Sequence, residues 1–427
     1  MLDLKFVRSN PEVVRADLKK RCDAEKEKWL DEVLDLDLRI RKLKVEAEGL
    51  RSERNKISRE INKLKKEGKD VAAKLQLASA IPDDIKQIEQ ESDGLQKKIM
   101  FYLMRLPNIL HKSVPVGKDE SANQELRVWG KPAKHDFKAK SHVDLLESLD
   151  VADLEAAGNV SGARFYYLKN ELVMLDYALM KYGLDFLHDK GFTLVEPPYL
   201  MRREPYEAVT DLGDFEDVMY KIEDEDLYLI ATSEHPLAAM LANRILEPDK
   251  LPVKLAGVSA CFRKEAGAHG KDSKGIFRVH QFNKIEQFVF CKPQESWGFH
   301  EELLKNAEDF FQSLQLPYRI VSICTGDIGT VAAKKYDLEV WMPAQNAFRE
   351  VVSCSNCTEY QATRLGIRYR KKKGGDEKEA VHTLNSTLVA TSRTLVAILE
   401  NFQQKDGTVV IPKVLHKYTN GITEISP

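Results

Sequence analysis

The sequence is short of the features that mark secreted and membrane proteins. Its 427 residues include only six cysteines, too few for the disulfide framework of a secreted domain. No apolar run approaches the roughly 20 residues of a membrane helix. The N-terminal stretch MLDLKFVRSNPEVV has neither the charged-then-apolar order of a signal peptide nor the acid-poor composition of a transit peptide. We therefore expect a cytoplasmic protein without a membrane partner.

Two common kinds of binding motif are also missing. Cys354 and Cys357 form a single CxxC pair, whereas a structural zinc site requires further ligands at similar spacing. We therefore expect no structural zinc. Neither a GxxxxGKS/T phosphate loop nor a GxGxxG after a predicted strand is present. An enzyme with this sequence that uses ATP must bind the nucleotide by another route.

Apolar residues recur at heptad spacing in two segments, 33–64 and 81–99. Steps of three and four residues are typical of the seam between two packed helices. Residues 65–70 supply the turn between them, and Pro82 predicts a kink or a short interruption in the second helix. We expect an antiparallel helical arm over about residues 30–101, roughly 50 Å long at about 1.5 Å per residue.

Positive charge is concentrated in this arm. The formal net charge of the whole chain is −2, so a nucleic-acid surface has to be local. Residues 39–69 hold twelve Lys and Arg against five Asp and Glu. A solvated coiled-coil surface explains any one of these side chains, whereas the excess over the whole segment favours a polyanion partner. The candidate RNA-binding residues are Arg41, Lys42, Lys44, Arg51, Lys56, Arg59 and Lys63.

The chain divides into three parts. We predict an N-terminal domain over residues 1–106, a linker rich in turn-forming residues over 107–133, and a second domain over 134–427. An amphipathic helix is predicted over 170–188. Short loops between several strands favour an antiparallel sheet flanked by helices, an α+β fold. The predicted strands are 194–195, 227–230, 253–258, 287–290, 318–323, 338–341 and 348–352.

The chemistry of the second domain is concentrated in one predicted strand–loop–strand segment, Cys261 to Phe290. Arg263 and Arg278 on facing strands can clamp a triphosphate, because guanidinium groups match phosphate oxygens in a bidentate way. Glu265 can accept a hydrogen bond from an exocyclic amine, and Phe282 offers a ring on which a base can stack. The Gly- and Lys-rich loop over residues 266–277 is a candidate RNA contact.

This segment closely resembles motif 2 of the class II aminoacyl-tRNA synthetases, and in detail the seryl-tRNA synthetase family. The resemblance rests on FRKEAGAHGKDSKGIFRVHQFNKIEQF over residues 262–288. GFTLVEPPYL over 191–200 resembles motif 1, which builds a dimer interface in that family. HTLNSTLVATSRTL over 382–395 resembles motif 3, and ATSE over 231–234 also fits. The resemblance covers essentially the whole chain.

The resemblance implies a set of roles around ATP. Arg263, Glu265 and Arg393 are the implied catalytic residues: Arg263 on the α-phosphate, Glu265 on the adenine amine and Arg393 on the γ-phosphate. Glu350 and Ser353 are the implied ligands of Mg²⁺, a cation that prefers oxygen. The implied ATP-binding set is Arg263, Lys264, Glu265, Arg278, Val279, Phe282, Glu350, Val351, Val352, Ser353 and Arg393.

Serine recognition is implied at a second set of residues. Glu286 is the candidate acceptor for the serine hydroxyl, and Thr232 with Glu234 is the candidate site for the α-amino group. The implied serine-binding set is Thr232, Ser233, Glu234, Arg263, Glu286, Asn385 and Thr387. Motif 3 reads LNSTLVATSR, nearer a eukaryotic variant than the bacterial pattern, so we expect a cytosolic, eukaryotic-like member. Thr387 stands where serine is common, which makes its role less certain.

The implied activity is that of a serine–tRNA ligase. Such an enzyme, a homodimer, joins L-serine to the 3′ end of tRNA(Ser), and also of tRNA(Sec), at the expense of ATP. Two alternatives stay open: a paralogue that has lost catalysis, and a class II relative with another amino acid. The first should lack Arg263, Glu265, Glu350 or Arg393, and all four are present. The N-terminal arm argues against the second.

Overall fold

The computed structural model describes residues 1–132, 135–211, 215–265 and 274–427. Contacts divide the chain into two compact units, one of residues Leu2–Leu106 and one of Met1 with Pro107–Pro427. The boundary predicted between residues 133 and 134 lies outside the described residues. Across the described ranges, no helix is both long enough and apolar enough to cross a membrane.

Two long helices joined by a short turn dominate the N-terminal unit. Val33, Ile40 and Leu43 are buried where the two helices pack. Asp23 caps the start of the first long helix by accepting a hydrogen bond from the amide of Lys26. The predicted helical arm is therefore confirmed. The helices of this unit are α1 (Leu4–Ser9), α2 (Pro11–Lys20), α3 (Ala24–Lys66) and α4 (Ala72–Leu103).

The proline in the arm does not interrupt its helix. α4 runs from Ala72 to Leu103 with Pro82 inside it. Of the kink or short interruption expected there, the interruption is absent. An internal proline costs a helix about 3 kcal/mol, because it removes one backbone hydrogen bond and its ring crowds the preceding turn. The flanking Ile81 and Ile85 are buried in one cluster with isoleucines of α3, at about 1.5–3 kcal/mol per side chain. That packing offsets the cost of the proline.

An eight-stranded sheet forms the frame of the larger unit. Its strand order is β1-β10-β11-β12-β15-β9-β8-β4, and the strands pair antiparallel except β4 with β8. The strands are β1 (Gln124–Trp129), β2 (Ala152–Asp153), β3 (Tyr167–Leu168), β4 (Thr193–Val195), β5 (Leu200–Met201), β6 (Tyr228–Leu229), β7 (Ile245–Leu246), β8 (Val253–Phe262), β9 (Gln281–Cys291), β10 (Tyr318–Ser322), β11 (Lys334–Met342), β12 (Ala347–Thr358), β13 (Arg368–Arg370), β14 (Lys378–Ala380), β15 (His382–Ala390), β16 (Val409–Val410) and β17 (Glu424–Ile425).

Helices cover one face of this sheet. α7 and α13 pack on β9, and α11 packs on β12 and β15. The helices of this unit are α5 (His142–Ser148), α6 (Leu154–Ser161), α7 (Asn170–Asp189), α8 (Arg203–Glu207), α9 (Phe215–Val218), α10 (Glu234–Ala239), α11 (Ser296–Ser313), α12 (Tyr360–Leu365) and α13 (Thr391–Phe402). The α+β fold predicted from the sequence is confirmed.

Alternation along β9 decides which side chains face the helices. Ile285 is fully buried in the core, Asn283 donates to Asp176 of α7, and Gln287 donates to the carbonyl of Leu303 in α11. Successive side chains of a strand point to opposite faces. The residues between these, at positions 282, 284 and 286, therefore face away from α7, α11 and α13 and toward the side on which α10 lies.

The sheet contains two strands that were not predicted. β15 inserts between β9 and β12 in the middle of the sheet, and β1 lies within the predicted linker and pairs with β10 at the edge. Every described side chain of β15 after His382 is buried. Its sequence therefore has no alternation of apolar and polar residues by which a surface strand is recognised. The polar residues in it, such as Asn385 and Thr387, face a cleft.

Candidate active site

A cleft of about 380 Å³ opens on the face of the sheet opposite α7, α11 and α13. It is lined by side chains from seven separate segments of the described chain, which the fold brings together. The candidate residues that line it are Thr232, Glu234, Arg263, Phe282, Glu286, Glu350, Val351, Ser353, Asn385, Thr387 and Arg393. Most residues of the two sets implied by the resemblance therefore share one cavity.

Three alternate residues of β9 form one wall of the cleft: Phe282, Lys284 and Glu286. The ammonium of Lys284 lies 2.6 Å from Oε2 of Glu286, and both side chains are almost completely buried. The hydroxyl of Thr387 in β15 donates to the same Oε2 at 3.0 Å. An ion pair and a hydrogen bond thus act on one oxygen of the carboxylate, which fixes its orientation in the cleft.

Glu234 provides a second carboxylate at the first residue of α10. Its Oε1 accepts hydrogen bonds from the side-chain amides of Asn385 and Gln361, each at 3.0 Å. The backbone amide of Glu234 donates to the hydroxyl of Thr232 at 3.1 Å. Burial, with the nearby charge of Glu286, raises the pKa of Glu234 to about 7. This carboxyl group is therefore poised to bind a cation near neutral pH.

Arg263 follows β8 and lies beside the aromatic ring of β9. Its Nε donates to the carbonyl of Ala231 at 3.2 Å, and its guanidinium carbon lies 5.3 Å from the centre of the Phe282 ring. These two contacts fix the plane of the guanidinium group, and an arginine held over an aromatic face gains a cation–π interaction. Arg263 is thus oriented for a bidentate contact with an anion.

Glu350 and Arg393 form a charged pair at the other end of the cleft. Nη1 of Arg393 lies 3.0 Å from the carbonyl oxygen of Glu350 and 3.4 Å from its Oε2. Burial would raise the pKa of Glu350, but the positive charges of Arg393, Lys335 and Arg263 outweigh it and lower the pKa to about 2. The Glu350 side chain is still 43% exposed. It is an ionised, accessible oxygen ligand at neutral pH.

A second cleft of about 760 Å³ is lined in part by the same charged residues, Glu350 and Arg393. Arg278 lines it, and its Nη1 is paired with Oε2 of Glu265 at 2.8 Å. The ring of Phe277 in this cleft lies under the guanidinium groups of Arg349 and Arg393, at 4.5 and 5.1 Å. The two clefts together give an elongated site with cationic groups along it.

Five of the candidate residues line neither of these clefts with their side chains, and one of them, Glu265, lines a smaller pocket with Arg263. Ser233 is fully buried and donates to the carbonyl of Gly257, so it supports the segment from Thr232 to Glu234 from beneath. Val279 and Val352 lie in the hydrophobic core, which leaves only their backbone for a ligand. Lys264 is anchored through its backbone amide to Val218.

The structure adds three residues that the sequence argument missed. Lys284 lies two positions before Glu286 on the same strand, so strand periodicity could have placed it on the same face. Lys335 lines both clefts, and Gln361 holds Glu234 while it accepts a hydrogen bond from Thr383. No sequence signal distinguishes Gln361, because its role depends on contacts between α12 and distant segments.

The candidate RNA-binding residues are divided between described and undescribed parts of the chain. The seven candidate RNA-binding residues of α3 are all exposed in the N-terminal unit. Two of them are paired with acids, Arg41 with Asp37 and Arg51 with Glu89. The candidate RNA contact in the loop falls largely on residues 266–273, which lie outside the described residues.

The sheet and the motifs around its cleft define the catalytic core of a class II aminoacyl-tRNA synthetase. Residues 219–402 match the family described as "tRNA synthetase class II core domain (G, H, P, S and T)". Residues 1–110 match "Seryl-tRNA synthetase N-terminal domain". The chain belongs to the seryl-tRNA synthetase family.

Full-length relatives agree with this assignment. The chain is 58% identical to a serine–tRNA ligase of Methanocella arvoryzae, over 99% of each chain. It is 56% identical to a seryl-tRNA synthetase of Pyrococcus horikoshii whose crystal structure is a complex with ATP, with a TM-score of 0.97 over 100% of both chains. A cytoplasmic serine–tRNA ligase of Naegleria fowleri in complex with AMP superposes with a TM-score of 0.90 at 39% identity, over 100% and 99% of the two chains.

These relatives correct one expectation. The motif 3 variant was taken to indicate a cytosolic, eukaryotic-like member, but the relatives that match at 54–58% identity over the full chain are archaeal. The eukaryotic structure is less similar, at 39%. A short variant within one motif carries little weight against the identity of some 420 aligned positions.

Proposed function

We propose that this protein is a serine–tRNA ligase. It activates L-serine with ATP to give seryl-adenylate and pyrophosphate, and then transfers the seryl group to the 3′ end of tRNA(Ser), and of tRNA(Sec) as well. The observation that carries the proposal is the orientation of Glu286 by Lys284 and Thr387 in a cleft that also holds Arg263. Full-length similarity to serine–tRNA ligases supports it.

The activation step needs positioning and charge neutralisation more than proton transfer. The serine carboxylate is already the nucleophile, and it attacks the α-phosphorus of ATP as the bond to pyrophosphate breaks. Arg263 neutralises the charge that develops on the α-phosphate and orients the attacking carboxylate. Glu265 reads the adenine amine, Phe282 stacks against the base, and Arg393 holds the γ-phosphate.

Serine is recognised at both of its polar ends. Glu286 accepts the hydrogen bond of the side-chain hydroxyl, and Glu234 with Thr232 binds the ammonium group. Asn385 and Thr387 close the pocket through the hydrogen bonds that they donate to these two carboxylates. A ligand without the hydroxyl leaves Glu286 unpaired in a buried site, which is strongly unfavourable.

Two oxygen groups fit a magnesium ion. Glu350 is held ionised and Ser353 offers a hydroxyl, and both line the cleft. Mg²⁺ usually takes one or two protein oxygens and completes its shell with water and substrate phosphates. Bound there, it would neutralise the charge of the triphosphate. No cluster of three or more acidic, His or Cys ligands occurs among the described residues.

The two units have separate tasks in this proposal. Residues 1–106 form the tRNA-binding domain, in which the basic residues of α3 bind RNA phosphates, and residues 134–427 form the catalytic domain. Residues 107–133 connect them. The enzyme acts as a cytoplasmic homodimer through the segment that resembles motif 1. Because phosphate contacts dominate the binding, tRNA affinity should fall steeply with salt.

ATP-dependent charging of tRNA with labelled serine tests the proposal. We expect acid-precipitable serine to accumulate on a total tRNA pool, and threonine or proline to give none under the same conditions. Charging with another amino acid and not with serine would refute the proposed specificity. A protein that forms adenylate with no amino acid would be a non-catalytic relative.

The pH dependence of serine binding should follow Glu234. Its pKa of about 7 means that the carboxyl is largely protonated below pH 7 and cannot pair with the serine ammonium. The KM for serine should therefore fall about tenfold per pH unit as pH rises from about 5.5, and level off above pH 7. Glu234→Gln should raise the KM for serine and remove its dependence on pH in this range. If the serine KM of the variant changed equally with pH, the titration would belong to another group.

Gly257 of β8 is a sensitive position behind the serine-binding segment. A Cβ added there would lie 2.6 Å from Oγ and 2.8 Å from Cβ of Ser233, closer than real Cβ contacts allow. Gly257→Ala should therefore displace Thr232 and Glu234, and raise the KM for serine about 10- to 100-fold, because misplaced substrate contacts cost that much. Gly298→Ala, where a Cβ meets no atom within 4 Å, is the matched control and should leave KM unchanged.

A further inference from the structure

Lys284 carries a buried positive charge that takes no part in the steps of the proposed reaction. Its side chain is 6% exposed, it lines the cleft, and its ammonium lies 2.6 Å from Oε2 of Glu286. An isolated buried ammonium or carboxylate is very costly, so the two charges require each other. A purely structural ion pair would satisfy that requirement anywhere in the core. This one faces the cleft instead.

The geometry around Glu286 is asymmetric. Lys284 and Thr387 both act on Oε2, at 2.6 and 3.0 Å. Oε1 has no hydrogen-bond partner in the part of the chain that the structure describes. The carboxylate therefore presents one saturated oxygen to the protein and one oxygen with its acceptor capacity unused. A carboxylate held at one oxygen by an ion pair and a hydrogen bond cannot rotate without losing both contacts.

We propose that Lys284 is a positioning residue for substrate specificity, which saturates Oε2 of Glu286 so that Oε1 is aimed at the side-chain hydroxyl of the amino acid. This inference rests on the proposed function, since it assigns the hydroxyl to Oε1. Lys284 acts through Glu286 and does not touch the reacting atoms.

A second role for Lys284 has to be distinguished from this one, namely a direct contact with the substrate. Arg263 and Glu234 line the same cavity, and an ammonium near the substrate could contact the carboxylate of the amino acid directly. The two roles differ in one respect. A contact with the substrate carboxylate is shared by every amino acid, whereas a role through Glu286 affects only ligands that carry the hydroxyl.

Lys284→Met tests this difference in the full-length enzyme. In serine-dependent exchange of pyrophosphate into ATP, the KM for serine should rise about 10- to 100-fold, the range expected for the loss of a hydrogen bond to a charged group. The inhibition constant of L-alanine, which has no hydroxyl, and the KM for ATP should stay within about threefold of wild type. Lys284→Arg, which keeps the charge, should recover most of the serine affinity.

Two further variants keep the test decisive if Lys284→Met does not fold. In Glu286→Gln the amide oxygen can still accept a hydrogen bond from Lys284, and the double variant Lys284→Met/Glu286→Gln contains neither buried charge. The double variant should have the serine KM of Glu286→Gln alone, because Lys284 has no effect except through Glu286. A parallel loss of alanine affinity, or a further rise in the double variant, would overturn the assignment. Failure of the wild-type enzyme to use serine would instead refute the proposed function.

Discussion

Arg263→Met should reduce serine activation about 100- to 1,000-fold in kcat, the loss typical when one group that stabilises a developing charge is removed. The structure fixes the guanidinium by a hydrogen bond to the carbonyl of Ala231 and by its position over Phe282. Methionine keeps the length and the apolar contact with the ring but has no charge. Steady-state exchange of pyrophosphate into ATP measures the effect.

The control separates charge from fold. Arg368→Met replaces an exposed arginine of β13 outside the cleft and should leave kcat within about twofold, as surface substitutions usually do. Arg263→Lys should restore only part of the rate, because an ammonium cannot make the bidentate contact. If Arg263→Met kept more than a tenth of the wild-type kcat, Arg263 would not be the main group on the α-phosphate.

Deletion of the arm should have the second large effect. A chain without residues 41–98, with a short flexible linker between Ile40 and Ile99, should lose tRNA charging almost completely while serine-dependent exchange continues at near the wild-type rate. The catalytic cleft is built entirely from residues after Pro107, which is why activation should survive. The two assays on one preparation measure this separation.

A charge variant distinguishes RNA binding from a structural effect of the deletion. Replacement by Gln of the seven candidate RNA-binding residues of α3 leaves the buried seam of Val33, Ile40, Leu43, Ala47, Ile57 and Ile61 intact. It should weaken tRNA binding and reduce the dependence of binding on salt, since fewer phosphate contacts release fewer counterions. Loss of serine activation in either variant would show that the arm has been assigned the wrong role.

Much of this fold could be predicted because local pattern and tertiary structure agree. The heptad seam of α3 specifies a packed helix whatever its partner. The strands predicted over 338–341 and 348–352 lie within β11 and β12. The short interruption considered at Pro82 does not occur, because the buried isoleucines beside it outweigh a local helix breaker. The prediction failed at β15, because a central strand buried on both faces has no alternation to read.

The candidate site was predictable to the extent that its residues lie in one segment. Arg263, Glu265 and Phe282 follow from a single strand–loop–strand pattern, and Glu286 follows from the resemblance of the same segment to motif 2. The structure adds Lys284 from the same strand face. Gln361 could not be found in this way. Its amide reaches Glu234 from 127 positions along the chain, and only the packing of α12 on β15 and α10 brings the two together.

The most direct test of the central claim is the amino acid dependence of pyrophosphate exchange by the wild-type protein. At saturating ATP and magnesium, serine should support exchange with a kcat/KM at least about 10,000 times that of alanine, because a buried acceptor left unpaired discriminates by that factor. Threonine and proline should support little or none. Exchange that is equally fast with alanine and serine would contradict the role of Glu286, and exchange with no amino acid would contradict the proposed activity itself.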